Sequence, residues 1–179
     1  MSEKETPEEL LKRAKKRALY LLGERAFCRV ELLGKLTKTY GSEIAGKAME
    51  YVDRLGYIND EEYASKYADY LIHRKKHGIF RAKREMLMKG LDREIVESAL
   101  SEFSSEEIDE ELTELIEKRY SAKISDFDDR RRTTAALVRR GYNFGEVRRC
   151  IEYVLQNREE EFEEDDFENY ESEYAEEED

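Results

Sequence analysis

The sequence predicts an all-α fold in which three tandem three-helix repeats stack into an elongated, curved, right-handed-type helical array, followed by a disordered acidic C-terminal tail. Charged residues make up 42% of the 179 residues, and the single proline and nine glycines favour helices over strands. Apolar residues recur at helical spacing, in a long, short, medium succession of helices that occurs three times. Each repeat is too small to bury a core alone, so neighbouring repeats are expected to stack.

The first repeat begins at a helix start formed by Thr6, Pro7 and Glu9. A helix over roughly 7–22 is followed by a shorter one and by a third that Ser42 can cap. The predicted segments are a flexible N-terminus at 1–6, repeat 1 at 7–58, repeat 2 at 59–104, repeat 3 at 105–157 and the tail at 158–179.

A helix stop and a helix start lie side by side between the first two repeats. Gly56 can adopt the left-handed conformation that ends a helix, and Tyr57 can fold back on the last turn. Asn59 is a strong N-cap candidate, and Asp60 adds negative charge at the positive end of the next helix. We therefore expect a packed corner between helices, in which Asp60 is a helix-start residue and not a catalytic acid.

The second and third repeats follow the same plan. In repeat 2 a long helix stops near Gly78, a short one ends at Gly90, and Asp92 can cap the third. In repeat 3 an apolar pattern from Phe127 leads to Gly141, and Asn143 can cap the last helix. The tripeptide Lys89-Gly90-Leu91 superposes on Arg140-Gly141-Tyr142 without a gap, together with the apolar residues that follow each.

The net charge of −12 is unevenly distributed along the chain. Residues 159–179 contain 14 acidic and no basic side chains, so the rest of the chain carries 32 basic against 30 acidic groups. A nearly neutral body with basic clusters is compatible with an acidic partner such as nucleic acid. The acidic tail can keep the protein soluble, or it can compete with DNA for the basic residues, with Phe162, Phe167, Tyr170 and Tyr174 as aromatic anchors.

Two distant cysteines, Cys28 and Cys150, fit small core residues in a reducing compartment, and no apolar run approaches the roughly 20 residues that span a bilayer. A cytoplasmic protein is expected. His73 and His77 have metal-like spacing but no evident third ligand, so no metal or other cofactor is expected. No phosphate-binding glycine loop, nucleophile elbow or paired-carboxylate pattern is present, which argues against an enzyme.

Five different short motifs occur in a definite order along residues 15–157. They are Ala18-Leu19-Tyr20-Leu21-Leu22 with Arg25; Glu31-Leu32-Leu33-Gly34-Lys35-Leu36; Gly56-Tyr57-Ile58 before Asp60 and Tyr63-Ala64; Gly78 with Arg81 before Leu87-Met88-Lys89-Gly90; and Leu137-Val138-Arg139-Arg140-Gly141-Tyr142. In this order and spacing the chain resembles the RecX family of bacterial regulators of the recombinase RecA. It departs from the family at Cys28, where a serine is frequent, and in the acidic tail.

The resemblance implies a regulator without chemistry of its own that acts in recombination and DNA repair. Such a protein docks in the groove of a RecA filament on single-stranded DNA and restrains filament growth, ATP hydrolysis and strand exchange. The expected partners are therefore RecA and single-stranded DNA, with no membrane and with a monomeric chain. A stand-alone helical DNA-binding module and a protein–protein adaptor remain open as alternatives.

The basic clusters are the candidate binding residues. Each cluster alone can be a solvated helix face or a favourable helix C-terminus. Recurrence suggests more, because Arg81, Lys83 and Arg84 precede Gly90 as 130–132 precede Gly141, and stacked repeats could align them into one stripe. The candidate filament- or DNA-binding residues are Arg74, Lys75, Lys76, Arg81, Lys83, Arg84, Arg130, Arg131, Arg132, Arg139, Arg140 and Arg148. Tyr63, Tyr67 and Tyr70 share a helical face and are expected to pack in the core.

Overall fold

The computed structural model describes residues 6–158, and within this range the chain is helical without any β-strand. The helices are α1 (Pro7–Glu24), α2 (Arg29–Tyr40), α3 (Ser42–Arg54), α4 (Asp60–Asp69), α5 (Ile79–Met88), α6 (Arg93–Ser101), α7 (Ser105–Tyr120), α8 (Phe127–Arg139) and α9, described over 144–158. A π-helical segment, Tyr70–Arg74, continues α4, and a short 3₁₀ turn, Ser121–Lys123, follows α7. The predicted all-α class is confirmed.

The predicted helix starts are largely confirmed. The Thr6 hydroxyl accepts from the Glu9 amide while the Glu9 carboxylate accepts from the Thr6 amide, which completes a capping box at α1. Asn59 and Asp92 cap α4 and α6 through their side-chain oxygens. Asn143 and Glu146 form a second capping box at α9. Ser42 is the exception, because Gly41 holds the N-cap position and Ser42 lies inside α3.

The described residues form two compact units. The first contains 6–71 and 82–102, and the second contains 72–81 and 103–158. The division falls inside α5, so the start of that helix packs with later parts of the chain than its end does. The three repeat boundaries stay a prediction.

The core of the first unit forms where α1, α2 and α3 meet. Small residues, among them Ala14, Ala18 and Ala48, are fully buried and allow the helices to approach closely. The larger side chains of Leu32 and Leu36 fill the remaining space from α2. Burial of such apolar surface stabilises this helix group more than helix propensity does.

In the second unit α7, α8 and α9 each contribute buried aliphatic residues. Fully buried examples are Leu112 and Ile116 from α7, Leu137 from α8 and Val147 from α9. Tyr142, in the turn between α8 and α9, is only 2% exposed. This apolar centre leaves the charged residues of the same helices at the surface.

Some expectations are wrong at the level of single residues. Phe127 was expected on the apolar pattern of repeat 3, but its ring is 76% exposed at the first position of α8. Tyr70 is exposed, whereas Tyr63 and Tyr67 are half-buried, and the Tyr67 and Tyr70 rings stack with centroids 6.3 Å apart. Residue 158 is still helical, so α9 extends past the predicted boundary.

The acidic segment 159–179 lies outside the described residues. Within the described range, no helix combines the length and the apolar character that crossing a bilayer requires.

Candidate basic binding surface

Two glycines hold the basic part of the second unit together. The Gly78 amide donates to the Arg140 carbonyl oxygen at 3.0 Å, and the Phe80 amide donates to the Gly141 carbonyl oxygen at 3.1 Å. These bonds join the first turn of α5 to the corner between α8 and α9. Two motifs that lie about 60 residues apart in the sequence therefore meet, and the backbone of Arg81 lies directly against Gly141.

The close approach explains why both positions are glycine. A β-carbon on Gly78 would lie 2.3 Å from backbone atoms of Gly141 and Tyr142. A β-carbon on Gly141 would lie 2.4 Å from the Arg81 amide nitrogen, and the φ of Gly141 is +97°. No other residue fits either position without moving the backbone.

The first unit contains the equivalent contact. Gly90 has a φ of +90°, and a β-carbon there would lie 2.6 Å from Val30 Cγ1 at the start of α2. The Cys28 thiol donates to the Lys89 carbonyl oxygen at 3.5 Å. The two tripeptides that superpose in sequence therefore have the same structural task, which is to pack the end of one short helix on the start of another.

An additional helix cap was not predicted from the sequence. Cys28 precedes α2 but makes no side-chain cap hydrogen bond. Instead the Asp60 carboxylate, from the start of α4, accepts from the Arg29 amide at 2.8 Å. Asp60 thus accepts a hydrogen bond from an amide at the start of α2 that has no partner within its own helix. Its negative charge also interacts favourably with the positive end of the α4 dipole. Its position at a helix start is confirmed.

Several of the candidate basic residues bind groups within their own unit. The half-buried Lys76 ammonium forms ion pairs with Glu111 and Glu114 of α7. The Arg140 guanidinium donates to the Lys75 and Lys76 carbonyl oxygens at 3.4 and 3.5 Å. These two side chains stabilise the corner and the segment before α5, so less of their charge is available to a partner.

Other candidates form ion pairs or bonds with neighbouring residues on the surface. Arg130 Nε donates to the Ile124 carbonyl oxygen at 2.8 Å and so closes the turn before α8. The remaining pairs are Lys83 with Glu97 at 2.7 Å, Arg132 with Asp129 at 2.9 Å and Arg148 with Glu152 at 2.8 Å. Exposed pairs of this kind contribute little stability and can exchange for a stronger anionic partner.

Four of the candidate arginines are exposed and form no ion pair within residues 6–158. They are Arg74, Arg84, Arg131 and Arg139. Arg74, Arg131 and Arg139 belong to the second unit and Arg84 to the first. These four keep their full charge facing solvent, which makes them the strongest members of the predicted set. Whether Arg81 and Arg84 align with 130–132 in one stripe stays a prediction.

The carboxylates among the basic residues are held in their charged form. Hydrogen bonds from Lys118 and then Lys76 lower the pKa of Glu114 to about 2. Bonds from Lys83 and Arg93 lower the pKa of Glu97. At neutral pH these acids are ionised, so the surface alternates in sign and is not uniformly basic.

His73 belongs to the same acidic neighbourhood on α7. Its Nδ1 lies 2.7 Å from a Glu111 oxygen and its Nε2 lies 3.3 Å from a Glu107 oxygen, with the Phe103 ring beside it. These contacts give the histidine a role in packing the segment before α5 on α7. His77 is buried, at 6% exposure.

One feature of this surface was missed in the sequence. The exposed ring of Phe144 lies at the start of α9, and it lines a groove with Phe127 of α8. Arg130, Arg131 and Arg148 line the same groove. Helical spacing alone could not identify it, because Phe144 lies three residues before Val147 and seven before Ile151, which are buried on the same face of α9.

Models of two protein-family domains match the chain. Residues 59–100 match the model described as "RecX, second three-helix domain", and residues 105–151 match "RecX, third three-helix domain". These matches cover the corner between α5 and α6 and the corner between α8 and α9.

Curated relatives and solved structures agree with those models. A regulatory protein RecX from Chlorobium phaeobacteroides is 29% identical over 141 residues, which cover 78% of this chain and 92% of that protein. One from Corynebacterium efficiens is 31% identical over 146 residues, covering 77% of this chain and 70% of the relative. The crystal structure of RecX from Lactobacillus salivarius has the same fold, with a TM-score of 0.72 at 21% identity, covering 81% of this chain and 96% of that one.

Proposed function

The chain belongs to the RecX family of regulatory proteins, and we propose that it binds RecA filaments on single-stranded DNA and restrains their growth, ATP hydrolysis and strand exchange. In this proposal the protein acts in the cytoplasm during recombination and DNA repair. It supplies no catalytic group, and its effect comes entirely from binding.

The observation that carries the proposal is the group of exposed, unpaired arginines. Arg74, Arg131 and Arg139 present guanidinium groups that are not neutralised within residues 6–158. Guanidinium groups form bidentate hydrogen bonds with phosphates and carboxylates. The exposed arginines therefore suit either a DNA backbone or an acidic protein groove. Before residue 159 the chain carries 32 basic against 30 acidic groups, so this part of the chain does not itself present a net negative charge to an anionic partner.

The test is RecA ATP hydrolysis on single-stranded DNA during titration with this protein. We expect hydrolysis to slow at ratios well below one protein per RecA protomer. The variant R74E/R131E/R139E should raise the concentration needed for half inhibition by about tenfold or more, if each exposed ion contact contributes roughly 0.5 kcal/mol.

A matched control separates specific contacts from net charge. The variant K38E/R119E/K123E makes the same change in net charge at exposed positions outside the proposed surface, and it should inhibit like the unmodified protein. Equal inhibition by both variants would remove the three arginines from the site. Unchanged hydrolysis and strand exchange across the whole titration would contradict the regulatory proposal itself, and tight RecA-independent DNA binding would favour the DNA-binding module instead.

A further inference from the structure

The second unit has an open groove between α8 and α9. Its volume is about 370 Å³. The apolar lining comes from Phe127, Phe144 and Ile151, and the charged lining includes Arg130, Arg131 and Arg148. Glu152 also lines the groove, but it is paired with Arg148 at 2.8 Å, so the wall keeps a net positive charge.

Both aromatic rings in the groove are largely unburied. Phe127 is 76% and Phe144 is 64% exposed. The two rings therefore leave apolar surface in contact with water in a groove that Arg131 also lines. The chemistry of the wall fits an occupant that combines aromatic rings with carboxylates, because rings can stack on phenylalanine and carboxylates can pair with guanidinium.

A segment of this composition continues directly from α9. Residues 159–179 contain 14 acidic side chains and no basic ones, with Phe162, Phe167, Tyr170 and Tyr174 spaced among them. From residue 158 back to Ile151 the helix rises about 10 Å, and back to Phe144 about 21 Å. A 21-residue segment can extend up to about 70 Å, so every part of the groove is within its reach.

A second groove beside α9 has the opposite charge. Between α7 and α9 the lining contains Asp109, Glu110, Glu114 and Glu117, together with Arg149. An acidic segment that leaves α9 is repelled there and attracted to the α8–α9 side. Electrostatics thus favours the α8–α9 groove over the α7–α9 groove.

We propose that residues 159–179 dock in the α8–α9 groove of their own chain. Their aromatic side chains pack on Phe127 and Phe144, and their carboxylates pair with Arg131 and Arg148. Because Arg131 and Arg148 also belong to the predicted binding residues, the docked segment covers part of that surface, and an anionic partner must displace it.

The test uses the full chain and needs no recombinase, so its outcome is independent of the proposed function. Cys28 and Cys150 are buried. A thiol-reactive spin label should therefore react selectively with the cysteine introduced by A175C. In an isotope-labelled sample we expect loss of amide signal for residues around Phe127, Phe144 and Arg131, and none around Asp109 to Glu117. The added substitutions R131E and F144S should restore the lost signals.

Controls and alternative occupants decide the result. The substitutions R119E and Y153S change a similar charge and a similar exposed ring outside this groove, and they should leave the signal loss intact. Signal loss that is absent, or that R131E and F144S do not reverse, would overturn the proposal. Transfer of the effect to a separate isotope-labelled copy would assign the groove to a second molecule. Shifts at Phe127 and Phe144 on addition of oligo(dT), without any effect of the spin label, would assign it to nucleic acid.

Discussion

At the scale of single residues, Tyr142 has a buried aromatic ring whose hydroxyl group is buried as well. Its ring is 2% exposed, and its hydroxyl has no hydrogen-bond partner among residues 6–158. Burial also raises the pKa of the phenol, because the charged form loses its hydration. The residue therefore stabilises the corner by its ring and not by its hydroxyl.

Replacing Tyr142 by Phe should preserve or increase stability. Removing a buried hydroxyl without a partner removes its desolvation cost, and we expect the free energy of unfolding to rise by about 1 kcal/mol. Denaturant unfolding followed by circular dichroism measures this change. Tyr57 is 60% exposed, so Y57F should be neutral. A loss of stability in Y142F would mean that the hydroxyl is bonded in solution.

The arginines illustrate why charge count alone is a poor guide at this scale. Arg140 is used to bind two carbonyl oxygens before α5, whereas its neighbour Arg139 is exposed. The sequence presents them as an identical pair. Their environments differ because the C-terminal turn of α8 directs one side chain toward packed backbone and the other toward solvent.

At the scale of elements, the contact between the start of α5 and the corner after α8 organises the second unit. Two backbone hydrogen bonds and two glycines with no room for a β-carbon define it. The corresponding contact at Gly90 in the first unit uses a valine side chain and a cysteine thiol instead. The two contacts are therefore built on the same plan but differ in what a β-carbon would meet, which is a valine side chain at Gly90 and backbone atoms at Gly78 and Gly141.

The substitution G78A should destabilise the second unit. The new β-carbon meets backbone atoms of Gly141 and Tyr142, so the hydrogen bond from Gly78 to Arg140 must lengthen, and we expect a loss of about 2–3 kcal/mol. Thermal unfolding and hydrogen exchange of the Gly78 and Phe80 amides measure the effect.

Gly34 provides the contrast for that experiment. It lies within α2, and no heavy atom outside its own helix backbone lies within 4 Å of the place that a β-carbon would occupy. G34A should therefore increase stability by about 1 kcal/mol through helix propensity alone. If G78A and G34A behaved alike, the close approach at the corner would not exist in solution.

At the scale of the whole molecule, the distribution of charge along the chain matters more than its total. The net charge is −12, yet the chain before residue 159 has a slight excess of basic groups. The sign of the field that an approaching polyanion meets therefore depends on the last 21 residues.

Ending the chain after Arg158 should strengthen binding to single-stranded DNA. Loss of 14 acidic groups removes repulsion, and we expect the affinity at low salt to increase roughly 3- to 10-fold with a steeper dependence on salt concentration. Fluorescence anisotropy with labelled oligo(dT) at several salt concentrations measures both quantities. An affinity and a salt slope that match those of the full chain would show that the acidic segment does not oppose DNA binding.

The amino-acid sequence by itself determined the features that depend on neighbours along the chain. The helical class, the caps at Thr6, Asn59, Asp92 and Asn143, and the glycine stops all arise within a few residues, where spacing specifies geometry. The concentration of acid after residue 158 is likewise a property of the sequence.

The tertiary structure alone decided which residues act on distant parts of the chain. Asp60 caps α2, Lys76 pairs with α7, Gly78 meets Gly141, and Phe127 and Phe144 share a groove. None of these pairings follows from local spacing, because each depends on how two helices pack after folding. The same packing leaves four of the predicted basic residues exposed and without an ion pair within residues 6–158. It thereby reduces the candidates whose full charge faces solvent to Arg74, Arg84, Arg131 and Arg139.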